Sequence, residues 1–213
     1  MLRAMANDIQ IACSCGKVTG RALDVAAGTG NRIVCMCDDC QAFAHHLGQG
    51  GAVLDASGGT EIFQMTPAQL KLDTGHEHVR CVRLTGKGLL RFYADCCRTP
   101  IANCVASPKV PFAGIPTVSM DAGGDGRGLD GVLGPVLCKV QGKFATGGLP
   151  ADAHARAPLS YLLRSARLIF KAWRRGQHAP SPLFDAATGA PIVEPIVLTA
   201  DERGALRAHC GPT

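Results

Sequence analysis

Cys35-Met36-Cys37-Asp38-Asp39-Cys40 is the most informative stretch of the chain, because it places three cysteines within six residues. The residues before it, 31–34, have the character of a short strand, and 38–47 can form a helical turn behind the cysteines. Three thiols at the end of a strand can converge on one metal ion without long-range assembly. Three thiolate ligands with an open fourth position are typical of a catalytic zinc site, whereas four ligands are typical of a structural one. We therefore expect zinc here, with Cys35, Cys37 and Cys40 as its ligands.

Two alternatives stay open for this cluster. A further cysteine or a histidine could close the fourth position, or the thiols could be redox active. The pairs His45-His46 and His76-x-His78 are candidate ligands, although such histidines are more often surface or core residues. We expect Asp38 and Asp39 to be solvated loop residues, with support of the metal ligands as the alternative.

A second group of cysteines is spread over distant parts of the chain. Cys13 and Cys15 form a C-x-C pair, and Cys96 and Cys97 are adjacent. Neither pair supplies enough ligands alone. Together they would hold a structural zinc that fastens the first strand to a later hairpin. The alternative is a set of buried thiols with one redox-sensitive pair. Four other cysteines are isolated, as buried free thiols often are: Cys81, Cys104, Cys138 and Cys210.

Composition limits the class of protein. The chain has 213 residues, which suggests one domain or one domain with an appendage. Eleven cysteines are about 5% of the chain, below the roughly 8–10% typical of a disulfide scaffold. Residues 1–8 lack the apolar stretch of a secretory signal, and no apolar run approaches the length of a membrane span. We expect a cytoplasmic protein without a transmembrane segment, in a compartment where clustered thiols more often bind metal than pair.

The first half of the chain predicts a mainly β fold. Residues 8–118 contain short alternating stretches separated by turn residues, and 78–84 and 89–93 flank the hairpin turn Thr85-Gly-Lys-Gly88. We expect antiparallel sheets. Residues 121–131 are glycine-rich and formally match G-x-G-x-x-G, but no strand precedes them and no helix follows in the sequence pattern. A plain loop is the favoured interpretation.

The C-terminal third has a different character. We assign 1–148 to a zinc-binding β core and 149–213 to a basic amphipathic helix with a tail. Between 153 and 184 there are six basic residues and no acidic one. We expect the apolar stripe of this helix to pack on the core. Contact of 156–175 with an anionic membrane, nucleic acid or an acidic partner is the less favoured alternative. The stripe comprises Leu159, Leu162, Leu163, Ala166, Ile169, Phe170 and Trp173.

Three motifs in order resemble one family. They are Cys13-Ser-Cys15-Gly16-Lys-Val18, Cys35-Met-Cys37-Asp-Asp-Cys40-Gln41 and Arg91-Phe-Tyr-Ala-Asp-Cys96-Cys97-Arg-Thr-Pro-Ile101. Across residues 9–118 the chain is similar to the glutathione-dependent formaldehyde-activating enzyme family, which includes centromere protein V. The family has C-x-x-C-G in the last motif. Its first cysteine falls on Ala94 and its glycine on Arg98 in this chain.

The resemblance implies a β-tent of antiparallel sheets that carries two zinc ions. By that resemblance Cys13, Cys15, Cys96 and Cys97 hold a structural zinc, and Cys35, Cys37 and Cys40 hold a catalytic one. The implied activity is that of a carbon–sulfur lyase of the S-(hydroxymethyl)glutathione synthase type, with a thiol such as glutathione and a small aldehyde such as formaldehyde as substrates. The alternative is a non-catalytic zinc-stabilised binding module that uses its basic C-terminal helix.

Overall fold

A computed structural model describes residues 7–123 and 128–212. It is mainly β, as the sequence predicts. The strands are β1 (Asn7–Ala12), β2 (Thr19–Val25), β3 (Asn31–Cys35), β4 (Thr60–Met65), β5 (Leu70–Thr74), β6 (Val79–Arg83), β7 (Leu90–Ala94), β8 (Thr99–Cys104), β9 (Ala113–Pro116), β10 (Met120–Asp121), β11 (Cys138–Val140) and β12 (Ile196–Val197).

The strands form two sheets. The first has the order β10-β1-β2-β5, and the second has the order β11-β3-β4-β9-β8-β7-β6-β12. The first sheet is antiparallel throughout, and so is the second except at its edges. There β11 pairs with β3 and β12 pairs with β6 in parallel. Both parallel edge strands lie outside residues 8–118, for which antiparallel sheets are predicted, and each reaches its partner strand by a long connection.

The main hydrophobic core lies between the two sheets. Ile9 and Ile11 of β1 are fully buried with Phe63 of β4 and Phe92 of β7. Alternation along each strand places the neighbouring side chains on the opposite face. Thus Ile62, next to Phe63, faces a separate small cluster with Cys40 and Val140. The eight-stranded sheet has one face toward the four-stranded sheet and one face toward the helices.

The helices lie mostly on the outer face of the large sheet, except for the one that contains Val132 and Leu133, which packs on the main core. They are α1 (Asp38–His46), α2 (Gly50–Val53), α3 (Gly128–Leu133), α4 (Leu159–Arg174) and α5 (Ala200–Arg207). Two helix boundaries follow the expected local chemistry. Gly176 adopts a φ of 67° just after α4, a conformation that favours glycine. Thr199 and Glu202 form the capping box predicted at the start of α5.

Two predictions need correction. The loop expected over 121–131 is partly helical, since α3 begins at Gly128, while 124–127 lie outside the described residues. The apolar stripe of α4 does not pack on the core. Most of its large side chains are exposed, Ile169 is half-buried, and the helix packs through Tyr161, Leu168 and Ala172. No helix in the described part of the chain is both long and apolar enough to cross a membrane.

Candidate metal centres

The structure brings the four scattered cysteines together at one end of the molecule. Cys13 and Cys15 lie in the turn between β1 and β2, and Cys96 and Cys97 lie in the turn between β7 and β8. Their four Sγ atoms are all within 4.8 Å of one another. The two turns are joined directly, because the backbone N–H of Ser14 donates to the hydroxyl of Thr99 at 3.0 Å. The predicted four-cysteine group is thus assembled from both sheets.

The spacing of these sulfurs fits a tetrahedral metal site. Sγ of Cys13 is 3.6 Å from that of Cys15 and 3.9 Å from that of Cys96, and Cys15 and Cys96 are 3.3 Å apart. Sulfurs about 2.3 Å from a tetrahedral zinc would be about 3.8 Å apart, whereas disulfide sulfurs are separated by about 2.05 Å. The backbone N–H of Val18 donates to Sγ of Cys13 at 3.3 Å, which stabilises charge on that sulfur.

Arg98 occupies the position where the resembling family has glycine. Its φ is 60°, so the backbone keeps the left-handed conformation that glycine favours. Its guanidinium donates to Asp95 at 3.0 Å and to the carbonyl of His46 at 3.3 Å, and lies over the ring of Tyr93. These contacts compensate for the strained backbone and connect the four-cysteine turn to the end of α1.

The three-cysteine group forms where β3 passes into α1. Cys35 is the last residue of β3, Cys37 is the N-cap of α1, and Cys40 lies in its first turn. The backbone N–H of Cys40 donates to the carbonyl of Cys37 at 2.9 Å, which turns both side chains toward Cys35. The three Sγ atoms lie within 4.8 Å of one another. Among the described residues, no fourth Cys, His, Asp or Glu atom lies within that distance of all three.

A buried cation that the sequence analysis missed lies beside this group. Arg91 on β7 is only 2% exposed, and its guanidinium lies 5.3 Å from the ring centre of Phe43. Hydrogen bonds from the thiols of Cys35 and Cys37 lower the pKa of Cys40, burial opposes this effect, and the Arg91 guanidinium lowers the pKa further. Hydrogen bonds with the thiols of Cys37 and Cys40, together with burial, raise the pKa of Cys35. Ionising all three thiols requires a bound cation.

Asp38 and Asp39 are not the solvated loop residues that we expected. Both lie in the first turn of α1, where a carboxylate is favoured by the helix dipole. Arg203 of α5 forms ion pairs with both carboxylates, and Arg207 is 3.1 Å from Asp38. Asp39 is also 4.0 Å from Arg91. The two aspartates therefore hold α5 and Arg91 against the helix that carries Cys40, which agrees with the alternative of a supporting role.

Thr60 adds a buried hydroxyl at the same site. It pairs with Cys35 across β3 and β4, so the two side chains lie on the same face of the sheet. Its Oγ1 is buried and has no hydrogen-bond partner among the described residues. A buried hydroxyl without a partner is costly, and it is therefore available to a ligand at the three-cysteine group.

The part of the chain after residue 137 also reaches this group. Tyr161 of α4 and Cys138 of β11 pack against the small cluster that contains Cys40. The Tyr161 hydroxyl accepts a hydrogen bond from Gln64 at 2.7 Å and lines a cavity of about 620 Å³ between α4 and the large sheet. Cys138 belongs to neither cysteine group, and the same holds for the candidate histidines and for the other three isolated cysteines.

Both groups fit a thiolate-bound metal ion such as zinc, by their sulfur spacing and by the chemistry of their ligands. The comparison with protein families gives a match over residues 5–195, to a group described as a family of unknown function, DUF6151. The chain belongs to this family. The match includes the seven cysteines of the two groups. It also crosses the boundary proposed at residue 148, so the division into 1–148 and 149–213 stays a prediction. A search of curated proteins found no match.

Proposed function

We propose that this DUF6151 protein is a zinc-dependent carbon–sulfur lyase-type enzyme that adds a thiol to a small aldehyde. The observation that carries the proposal is the difference in ligand number between the two groups. Four thiols complete a tetrahedral site, whereas Cys35, Cys37 and Cys40 leave one position for a reactant. The resemblance of the three motifs to the glutathione-dependent formaldehyde-activating enzyme family supports glutathione and formaldehyde as the substrates and a β-tent as the fold.

The chain supplies the parts that such a reaction requires. A zinc ion held by Cys35, Cys37 and Cys40 would keep a substrate thiol deprotonated at neutral pH. The buried guanidinium of Arg91 balances the surplus negative charge of three thiolates around a divalent cation. Asp38 and Asp39 keep the ligand-bearing helix in place through their ion pairs.

The bond changes are simple. The substrate thiolate donates an electron pair to the carbonyl carbon, a carbon–sulfur bond forms, and the carbonyl π pair moves to oxygen. The oxygen then takes one proton, which gives a hydroxymethyl thioether, and cleavage is the reverse. The unpaired hydroxyl of Thr60 lies beside Cys35 and can donate a hydrogen bond to this oxygen while its negative charge develops.

The burial of the site supports a small carbonyl substrate. Cys40 is buried and Cys35 and Cys37 are half-buried, while Tyr161 and Ala157 pack over the same cluster. An aldehyde with a long chain would need to displace these side chains. Formaldehyde needs the least space of any aldehyde, and burial raises the strength of the electrostatic contacts that it would meet.

The test is the exchange between formaldehyde and S-hydroxymethylglutathione, followed by NMR with zinc-loaded protein at catalytic concentration. We expect acceleration that the Cys37→Ala variant abolishes. The matched control is Cys104→Ala, which removes a thiol that lies in the main core and outside both groups, and should retain the acceleration. If the wild-type protein with both sites zinc-loaded gives no acceleration, the proposed activity is wrong.

A further inference from the structure

The exposed face of α4 is unusual for a helix that is attached to a folded domain. Four of its large apolar side chains are more than half exposed, and Leu162 is 48% exposed. They recur at helical spacing and so form one continuous stripe, about 20 Å long at 1.5 Å per residue. The four side chains are Leu159 (69% exposed), Leu163 (62%), Phe170 (58%) and Trp173 (57%).

The attachment of α4 explains why the stripe points outward. The side chains that face the sheet make polar contacts, because Asn31 of β3 donates to the Ser165 hydroxyl at 3.0 Å and accepts from Arg164 at 2.7 Å. Tyr161 adds the hydrogen bond from Gln64. The helix is thus held by its polar side chains together with Leu168, Ile169 and Ala172. The four most exposed apolar side chains belong to no core cluster of the described residues. Among them, Phe170 and Trp173 stack on each other, and Arg174 lies over the Phe170 ring.

A row of cations runs beside the stripe. Arg167, Lys171 and Arg174 are exposed and lie on the flank between the stripe and the attached face, as their spacing of three to four residues requires. None of the three forms an ion pair within 7–123 and 128–212. The sequence from 153 to 184 contains no acidic residue that could neutralise them. This surface therefore combines an apolar stripe with uncompensated positive charge.

We propose that α4 docks in the interfacial region of a bilayer that contains anionic phospholipids. Leu, Phe and Trp on one side and Lys or Arg on the polar side are the arrangement with which a helix lies in the plane of a membrane surface. The apolar stripe enters the acyl boundary, and the three cations meet the lipid phosphates. A bilayer fits better than a second copy of the chain, because two such faces would bring six cations together without a carboxylate from the same segment.

The chain carries its own probe for this proposal. Trp173 is its single tryptophan and lies on the stripe, so its fluorescence reports on this surface alone. The full zinc-loaded chain is mixed with vesicles of phosphatidylcholine and phosphatidylserine, or of phosphatidylcholine alone. We expect the emission to shift to shorter wavelength and the protein to co-sediment with the anionic vesicles only. Added salt should weaken the binding.

Two variants separate the contributions of stripe and charge. Leu163→Glu should abolish binding, whereas Leu137→Glu, at a leucine that is exposed elsewhere on the surface, should leave it unchanged. Replacing Arg167 and Arg174 together by Glu should lower the partition coefficient at least about tenfold. All of these positions are exposed, and unchanged unfolding curves verify the fold.

The proposal is overturned by three results. The first is the absence of a fluorescence shift and of co-sedimentation with anionic vesicles. The second is equal binding to neutral and anionic vesicles. The third is a dimer in analytical ultracentrifugation that the Leu163→Glu variant dissociates, since the stripe would then be occupied by a second copy.

Discussion

Both groups consist of cysteine thiols, but the chain brings the thiols together in different ways. The four-cysteine group joins two turns that are far apart in the sequence and belong to different sheets, whereas the three-cysteine group comes from one stretch at the start of α1. A metal in the first group therefore stabilises the tertiary fold, since its ligands are brought together only on folding. A metal in the second group would join residues that are already neighbours in the sequence, so it contributes less to the tertiary fold. The charged side chains of Arg91, Asp38 and Asp39 surround this group. Ligand number and chain separation therefore predict a structural role for the four-cysteine group and a catalytic role for the three-cysteine group.

The largest expected effect comes from the four-cysteine group. Cys15→Ala removes one of four ligands and should unfold the β core, because binding of a structural zinc contributes on the order of 10 kcal/mol to folding. Zinc content and thermal unfolding are the measurements, with Cys138→Ala as the control. A Cys15→Ala variant that stays folded with two zinc ions would contradict the structural role of the four-cysteine group.

The second effect concerns the three-cysteine group. Cys37→Ala should reduce the thiol–aldehyde exchange to the uncatalysed rate and leave one zinc ion per chain. Its cooperative unfolding should be retained, because the four-cysteine group still joins the two sheets. Circular dichroism during heating checks the fold. Global unfolding of this variant would mean that the roles of the two groups are reversed.

The third effect tests the support of α1 by α5. Arg203→Ala leaves Asp38 and Asp39 without their shared partner, and breaking such a largely buried pair costs about 3 kcal/mol. Arg207→Ala is the matched control, because Arg207 also contacts Asp38 but is half exposed, so its loss should cost less than about 1 kcal/mol. Urea denaturation measures both. Equal effects of the two variants would contradict the assigned role of Arg203.

The smallest expected effect tests whether Arg91 acts on metal affinity through its charge. Arg91→Leu leaves the charge of three thiolates uncompensated and should weaken metal binding at that group about 10- to 100-fold. Arg91→Lys retains the charge and should weaken it less. Zinc release to a competing chelator measures the affinity, and the slow release from the four-cysteine group should not change. A loss of the same size in both variants would show that Arg91 acts through packing alone.

Local chemistry made much of the structure predictable. The turn at Cys13-Cys15, the helix after Cys37 and the capping box at Thr199 all depend on residues that are neighbours in the sequence. The pairing of Cys13 and Cys15 with Cys96 and Cys97 was predictable as well, because neither pair alone has enough ligands. The role of zinc and the activity stay predictions.

Other features depend on contacts that no local pattern reveals. The sequence predicts only that Arg91 lies in a strand. It is buried because α1 packs against β7 and covers its guanidinium. The prediction that the apolar stripe of α4 packs on the core was wrong. A hydrophobic stripe shows that a helix face favours an apolar partner, but it does not show which partner covers that face. In the structure, polar side chains of α4 accept hydrogen bonds from Asn31 and Gln64 of the large sheet.

The parallel pairing of β12 with β6 has a consequence for how the chain folds. Ile196 pairs with Val82, so the edge of the large sheet at β6 has no covering strand until residues 196–197 have been synthesised. An open strand edge can pair with another molecule. Pairing between such distant segments is also slow, since loop closure precedes the gain from contact. Aggregation during expression should therefore depend on residues 196–197, and a fragment that ends before Ile196 should aggregate more than the 213-residue chain even when its cysteines are loaded with metal.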